Sequence, residues 1–377
     1  MPARVVCTGL GVVTSIGLGK EAFWEGIVNT RCGARPLIRL NEPQFSKKFA
    51  YEIAADFPEE AKIGRASAMA LQTAEEAIDD AGLDGCEGAA LVIGTGLCDI
   101  KGIETGMAAG GFFNCNSISA NVSRYIGNTG PSLTISTGCA SGNHAIGYGF
   151  DLIRDGAAEV ALVGGSDCVT AVMYGILDRV NPATPTRCQP FDADRRGVLL
   201  GDGAAFLVLE EISRAVARKA KIYGEIHGYG MSCDARHPTA PDREGMAAAM
   251  RKALQNSGTA APEIDYIAMH GTGTILNDIT ETQAVKAVFG RRCDALATSS
   301  IKAMTGHTGG AAGAVSAVAT FLAMQYGIVP PTALLNRPDP QCDLNYTPNR
   351  WIRAEINKAM VNAFGFGGNN CCIVIGT

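Results

Sequence analysis

Leu133–Gly142 reads LTISTGCASG, and Ala297–Gly306 reads ATSSIKAMTG with His307 next in the chain. Each stretch opens as a strand, passes through a turn of small residues and leads into a helical pattern. This pair decides the fold, because the correspondence continues outward on both sides. Upstream, Ala89–Gly96 (AALVIGTG) and Ile264–Gly273 (IDYIAMHGTG) are buried-type strands running into Gly/Thr turns. Further out, Val5–Gly11 (VVCTGLG) matches Ile222–Gly230 (IYGEIHGYG), both ending in glycine turns. Downstream, Gly203–Leu209 (GAAFLVL) matches the terminal strand Cys371–Ile375 (CCIVI). Helical patterns lie between, such as Ala66–Gly82 and Glu244–Gly258, each closed by a glycine. Strand and helix alternate, so the class is α/β. Four units matched in the same order predict a duplicated chain, with halves spanning 1–220 and 221–377. A pseudo-two-fold between them would set Cys139 and His307 at equivalent helix starts.

The chain is long enough for one large domain or two fused smaller ones, and its composition suits a large core, with 47% apolar and 18% charged residues. The 46 glycines point to close packing and tight turns. A formal charge of −5 gives no basic footprint, which argues against nucleic acid as a partner. The 13 cysteines form no CxxC pair and no zinc-type spacing with histidine. They read as reduced thiols of a cytoplasmic protein, most of them, including Cys371 and Cys372, small buried hydrophobes. The chain runs almost at once into Val5–Val6, without the pattern of a secretory signal. Gly309–Met324 is apolar but short and rich in Gly and Ala, so it is expected as a core helix and no membrane span is expected.

Ser136–Gly142 (STGCASG) carries the strongest chemical signal. Cys139 follows a strand and precedes an apolar helix, where backbone N–H groups converge and the helix terminus favours thiolate. Such settings lower a thiol pKa from about 8.5 to about 7 or below. Cys139 is therefore expected to be a nucleophile ionised near neutrality, the other reading of this segment being an inert buried cysteine. Two of the five histidines share its type of setting. His270 lies in HGTGT just past a strand end, and His307 ends KAMTGH just before an apolar helix. His144, His227 and His237 lack that context and read as structural.

On these motifs the chain resembles the β-ketoacyl–acyl carrier protein synthases of the Cys-His-His class. The resemblance covers essentially the whole length through STGCASG, HGTGT, KAMTGH and Asn362–Asn369 (NAFGFGGN). It implies a thiolase-like fold, a duplicated arrangement of αβαβα layered halves, with Cys139 in the first half and the histidines and gating phenylalanine in the second. It implies that Cys139 takes an acyl chain from a carrier thioester. The backbone N–H groups of Cys139 and Phe366 would form the oxyanion hole, where one donor is worth about 2.7–4 kcal/mol. His270 and His307 would promote decarboxylation of malonyl thioester and hold the enolate, with Lys302 supporting the histidines. Thr272 and Thr274 would contact the extender and its pantetheine arm, Phe366 would gate the site, and Leu97 and Met173 would line the acyl tunnel. Asp278 stands at the family spacing after His270, either ordering the site or lying at the surface. No metal or redox cofactor is implied, since the substrates ride on the phosphopantetheine of acyl carrier protein. The expected partners are acyl carrier protein and a second subunit, as a homodimer or a heterodimer with a related ketosynthase-like chain.

The sequence also departs from the family pattern. Ser316 stands where many members carry a glutamate thought to pair with the lysine, which puts the charge balance around Lys302 in question. Gly110–Asn116 (GGFFNCN) is short and lacks a common basic segment. Lys62 and Arg65 match a helix that often contacts the acidic carrier, though a solvated helix face explains them as well. Thr137-Gly138-Cys139 and Asn277-Asp278 look closer to type II polyketide and polyene ketosynthases than to housekeeping enzymes. Two alternatives stand beside this reading: a thiolase-type acyltransferase, and a non-catalytic acyl-binding partner subunit.

Overall fold

The computed structural model describes residues 3–40, 45–104, 106, 114–180 and 183–377. Ten strands form the path of one mixed sheet. They are β1 (Val5–Thr14), β2 (Ala90–Gly94), β3 (Ser132–Ile135), β4 (Val160–Asp167) and β5 (Gly203–Glu211), then β6 (Gly224–Cys233), β7 (Tyr266–Ala268), β8 (Ala297–Ser299), β9 (Lys358–Phe364) and β10 (Asn369–Gly376). Their order is β8-β7-β9-β10-β6-β1-β5-β4-β2-β3, with the two-residue strand Gly17–Leu18 paired to β1 off this path.

Divided between β6 and β1, the two halves repeat each other. The first runs β1-β5-β4-β2-β3 and the second β6-β10-β9-β7-β8. The senses repeat as well. β2 is parallel to β3 and β4, as β7 is to β8 and β9. β5 is antiparallel to β4 and β1, as β10 is to β9 and β6. The halves join where Val5–Cys7 of β1 pair antiparallel with Gly224–Ile226 of β6. The four strand pairs read from sequence are β1/β6, β2/β7, β3/β8 and β5/β10. A fifth pair, β4/β9, was not read: VALVGGSD and KAMVNAF share burial and position but no turn motif.

Among the described residues six helices run ten residues or more: α1 (Arg65–Ala81), α2 (Ser141–Arg154), α3 (Ala171–Val180), α4 (Arg243–Asn256), α5 (Ile275–Phe289) and α6 (Ala312–Tyr326). α1 packs on β1 and β5, and α4 takes the same place on β6 and β10. The contact is close because the strands carry glycine there: a Cβ on Gly9 would stand 2.1 Å from the Ala77 carbonyl oxygen. α2 and α6 pack on each other and on strands of both halves, forming the central layer. α6 is buried on all sides from Ala312 to Ala323, as a helix between two sheet layers must be. Each fully buried Val, Leu or Phe adds about 1.5–3 kcal/mol relative to exposure. Among the described residues no helix is long and apolar enough to cross a membrane.

One sequence expectation changes here. Arg65 is not on a solvated face or a docking surface. Its guanidinium is buried at the start of α1, paired with Asp202 at 3.1 Å and Glu60 at 2.7 Å, and donates to the Ile53 carbonyl at 2.7 Å. Lys62 is exposed and paired with Glu59 at 2.7 Å. The short segment Gly110–Asn116 falls largely outside the described residues, at 110–113. Eight of the thirteen cysteines are buried, Cys371 and Cys372 in β10 among them.

Candidate active site

Cys139 and His270 sit just past the ends of β3 and β7, and His307 follows the one-turn helix Lys302–Thr305 that comes after β8. After β3, Gly138 takes φ 62°, a left-handed conformation that glycine adopts without strain. Ser141 ties this turn: its Oγ accepts the Thr137 N–H at 2.8 Å and donates to the Gly138 carbonyl at 2.6 Å. Cys139 is thereby presented two residues ahead of α2, partly exposed at the foot of a cavity of about 570 Å³. Its sulfur meets the backbone N–H of Phe366 and its own N–H, the two donors expected for the oxyanion hole.

The expected ionisation of Cys139 is not what the structure gives. Burial pushes its thiol up to about 11, against the lowering effect of the Phe366 N–H and the Lys302 charge. Loss of hydration outweighs the backbone donors and the lysine charge together. At rest Cys139 is a thiol.

The two histidines are held by their main chains. The His270 N–H donates to Glu281 Oε1 at 2.7 Å and the Gly271 N–H to Oε2 at 2.8 Å. The Thr272 and Gly273 N–H groups donate to Asp278 Oδ1 at 3.1 and 3.2 Å. Two buried carboxylates of α5, one helical turn apart, therefore grip the whole HGTGT turn. Lys302 is buried, and its Nζ donates to the His270 carbonyl at 2.6 Å. His307 is fixed by its N–H to the Leu199 carbonyl and by its carbonyl to the Gly201 N–H, each at 2.9 Å. Its Nδ1 accepts the Gly309 N–H at 3.1 Å, so the neutral ring carries its proton on Nε2.

The rings of His270 and His307 meet edge to face with centroids 5.3 Å apart. One donor atom from each of Cys139, His270 and His307 lies within 4.8 Å of the others. Burial, reinforced by the Lys302 charge, lowers His307 to about 3, and burial with Lys302 and His307 lowers His270 well below its ordinary range. Both imidazoles are neutral at working pH. Burial lowers Lys302 and raises Glu281, while their mutual attraction favours the charged forms.

Other expected residues divide. Thr272 and Thr274 line the cavity, their hydroxyls 2.9 Å apart, and Phe366 stands 42% exposed on the one-turn segment Phe366–Gly368. Met173 lines the cavity and also a small adjoining pocket beside His307. Leu97 lines that small pocket and not the main cavity, the two sharing Met173, Leu200, His307 and Gly309 as lining. Asp278 is not a surface carboxylate: it is buried, accepts the Phe191 N–H at 2.8 Å and faces Arg195 at 3.4 Å. Ser316 is buried in α6. The charge that its family counterpart would place near Lys302 is supplied instead by Glu281, which the sequence reading missed. The available signal was its spacing of three residues from Asp278, one turn further along the same helix. Cys371 and Cys372 do not line the cavity, which removes the second thiol a thiolase would need there.

A thiol between two neutral imidazoles, with paired N–H donors aimed at its sulfur, defines an acyl-transferring condensing site. The comparisons place it. The family described as Beta-ketoacyl synthase, N-terminal domain, matches residues 3–215, and Beta-ketoacyl synthase, C-terminal domain, matches residues 223–336. The chain belongs to the β-ketoacyl synthase family of condensing enzymes, and its fold is thiolase-like. It is 36% identical to 3-oxoacyl-[acyl-carrier-protein] synthase 2 of Synechocystis sp., over 97% of this chain and 96% of that one. It is 35% identical to the tetracenomycin polyketide synthase ketoacyl synthase alpha subunit of Streptomyces glaucescens, over 99% and 96%. Among solved structures, the ishigamide ketosynthase/chain length factor superposes with a TM-score of 0.94 at 38% identity, covering all of both chains. A type II polyketide ketosynthase, bound to the hexaketide and in complex with its acyl-carrier protein, gives 0.91 at 31% identity, again over both full chains.

Proposed function

We propose that Cys139, His270 and His307 carry out a decarboxylative Claisen condensation between an acyl group on Cys139 and a malonyl group on acyl carrier protein. The observation that carries this assignment is the convergence of one donor atom from each of these residues within 4.8 Å at the foot of one cavity. In the first half-reaction the Cys139 sulfur attacks the acyl thioester. A neutral imidazole takes the thiol proton and returns it to the departing pantetheine sulfur, so the exchange is proton-neutral and needs no resident thiolate. The Cys139 and Phe366 N–H groups hold the oxyanion. In the second, CO2 leaves the malonyl group and its bonding electrons pass to the enolate, stabilised by hydrogen bonds from the histidines. The carbanion attacks acyl-Cys139, the C–S bond breaks with its electrons passing to the Cys139 sulfur, which takes up a proton from solvent to return to the thiol, and the β-ketoacyl product remains on the carrier.

Lys302 supports the histidines, Thr272 and Thr274 hold the extender arm, Met173 borders the acyl chain, and Phe366 gates the cavity. The half 1–220 brings the nucleophile, and the half 221–377 brings the histidines and the gate. Phosphopantetheine belongs to the substrate, and the reaction calls for no metal or redox group of the enzyme. The expected partners are acyl carrier protein and a second ketosynthase-like chain, in the cytoplasm. Thr137-Gly138-Cys139 and Asn277-Asp278 favour a type II polyketide or polyene pathway, with this chain as the catalysing subunit. Intact-mass analysis after mixing with a panel of acyl-carrier thioesters tests the assignment. A mass gain is expected that is absent in Cys139→Ala; no gain with any donor would point to the non-catalytic partner class or to an enzyme that needs its partner chain.

A further inference from the structure

Asp167 closes β4 with a buried carboxylate that has no part in the two half-reactions. Its Oδ2 accepts the Gly96 N–H at 2.7 Å and also the Gly310 N–H. Its Oδ1 accepts the Thr95 hydroxyl at 2.7 Å and faces the Leu97 N–H at 3.4 Å. These donors are all neutral, and a carboxylate buried among neutral groups is costly unless its oxygens are well satisfied. What it joins is specific. Thr95–Leu97 is the turn after β2, in the first half of the chain. The Thr95 N–H donates to the Ile135 carbonyl at 3.0 Å and the Ser136 hydroxyl to the Gly96 carbonyl at 3.3 Å, so this turn braces the one that carries Cys139. Gly310 belongs to the second half, three residues past His307. One carboxylate oxygen thus takes a donor from each half.

The Gly309-Gly310 turn needs such a hold. Gly309 takes φ 58°, and a Cβ on it would stand 2.5 Å from Asp167 Oδ2, so bare backbone lies against the carboxylate. The Gly309 N–H donates to His307 Nδ1 at 3.1 Å, the bond that leaves the ring proton on Nε2. Two glycines in succession have no side chain to fix them, and without a partner for Gly310 the turn can rotate this N–H off the ring. We propose that Asp167 is a positioning residue for His307, holding the Gly309-Gly310 turn so that the Nε2 proton stays aimed at the enolate oxygen. The inference rests on the condensing activity assigned above. Asp167 lines the small pocket beside His307 and not the main cavity, so it acts through the ring rather than on the substrate. Because Oδ2 also takes the Gly96 N–H, the same carboxylate keeps His307 in register with the turn that bears Cys139.

The test reads the His307 tautomer directly. In enzyme carrying nitrogen-15 histidine, two-bond correlation shows which ring nitrogen is protonated, and the His307→Asn spectrum assigns the signal. In Asp167→Ala the Nε2-protonated form should give way to a mixture, and kcat for CO2 release from malonyl-carrier should fall about tenfold or more, as a misplaced imidazole proton does in other enzymes. KM for malonyl-carrier should stay within about threefold, because Asp278 and Glu281, not Asp167, hold the HGTGT turn. Asp167→Asn should keep the wild-type spectrum and most of the rate: its amide oxygen can hold both N–H groups at the Oδ2 place while its nitrogen donates to the Thr95 hydroxyl. An unchanged His307 spectrum in Asp167→Ala would overturn the assignment, as would a raised KM with kcat intact. A shifted tautomer in Asp167→Asn would overturn the hydrogen-bonded hold. If Asp167→Ala does not fold, Asp167→Ser, too short to reach both turns, is expected to give the same shift and loss. Failure of both to fold would make Asp167 a folding residue and end the proposal. Wild type with the Nε2-protonated ring that neither releases CO2 nor takes up an acyl group would count against the condensing activity, while the variant spectra would still decide the role of Asp167.

Discussion

Lys302 and Glu281 are the residues on which the electrostatics of the site turn. A lysine buried among two imidazoles and a thiol is held charged only by an opposing carboxylate, and in the absence of a glutamate at Ser316 that role falls to Glu281. Glu281 also takes the N–H groups of His270 and Gly271 and the Asn362 side chain at 3.2 Å. Removing it should act twice. In Glu281→Ala the loss of charge-assisted hydrogen bonds should cost about 1.5–3 kcal/mol in urea unfolding. Losing the negative charge should also lower Lys302 further, moving the basic limb of the kcat/KM profile to lower pH. An unmoved basic limb would show that Glu281 only braces the loop. The nucleophile and both histidines were legible in the sequence because each stands in a small-residue turn that few other functions require. The role of Glu281 and the upward shift of the Cys139 thiol were not, because both depend on burial, which a linear motif does not report. Asp278 shows the same limit, its spacing marking the residue but not whether it faced water or Arg195.

At the scale of elements, the start of α1 shows how a charged residue can be mistaken for a surface feature. Gly64, its N-cap, offers no side chain. The helix is instead anchored from outside: the Asp99 carboxylate accepts the Ala66 and Ser67 N–H groups at 2.9 Å each, and Arg65 turns inward to Asp202. Breaking a buried ion pair from one side leaves an uncompensated charge, at a cost of about 3–5 kcal/mol. Arg65→Ala should therefore unfold at markedly lower urea while its folded fraction binds carrier with unchanged affinity. Lys62→Ala should leave both the unfolding midpoint and carrier affinity unchanged. Weakened carrier binding by folded Arg65→Ala would restore the docking reading of this helix. The same burial explains which elements the sequence disclosed. Four strand pairs were visible because glycine turns and helix starts recur at their ends, while β4 and β9 are bounded differently and were found only by their place in the sheet.

The whole molecule encloses groups that water would let titrate freely, and this shapes its acid stability. The folded pKa of His307 is about 3, lowered by burial and then by Lys302, whereas an unfolded imidazole titrates near 6.5. Between those values the unfolded chain binds a proton that the folded chain does not. Stability is therefore complete above about pH 6.5 and declines as pH falls, by about 1.4 kcal/mol per pH unit for one such group. His270 is shifted in the same direction by burial, Lys302 and His307. Asp99 and Asp167 oppose them: burial raises each to about 6, so from about pH 6 down to 4 the folded chain binds protons that the unfolded chain has not yet taken. The net slope mixes both signs, and a variant separates them. In His307→Asn the amide oxygen can take the place of Nδ1 as acceptor of the Gly309 N–H, while the titrating group is gone. Between pH 6 and pH 4.5 the rise of unfolding free energy with pH, followed in urea, should be lower than that of wild type by about 1.4 kcal/mol per pH unit, whatever the sign of the net slope. Equal slopes would mean that His307 titrates alike in the folded and unfolded chain, and the neutral-imidazole chemistry would lose its footing. Parallel loss of stability at every pH would mark the ring as packing alone. The predicted difference ties acid sensitivity to mechanism, since the burial through which His307 costs stability below pH 6.5 is what keeps its ring neutral, with its proton on Nε2 available to an enolate oxygen.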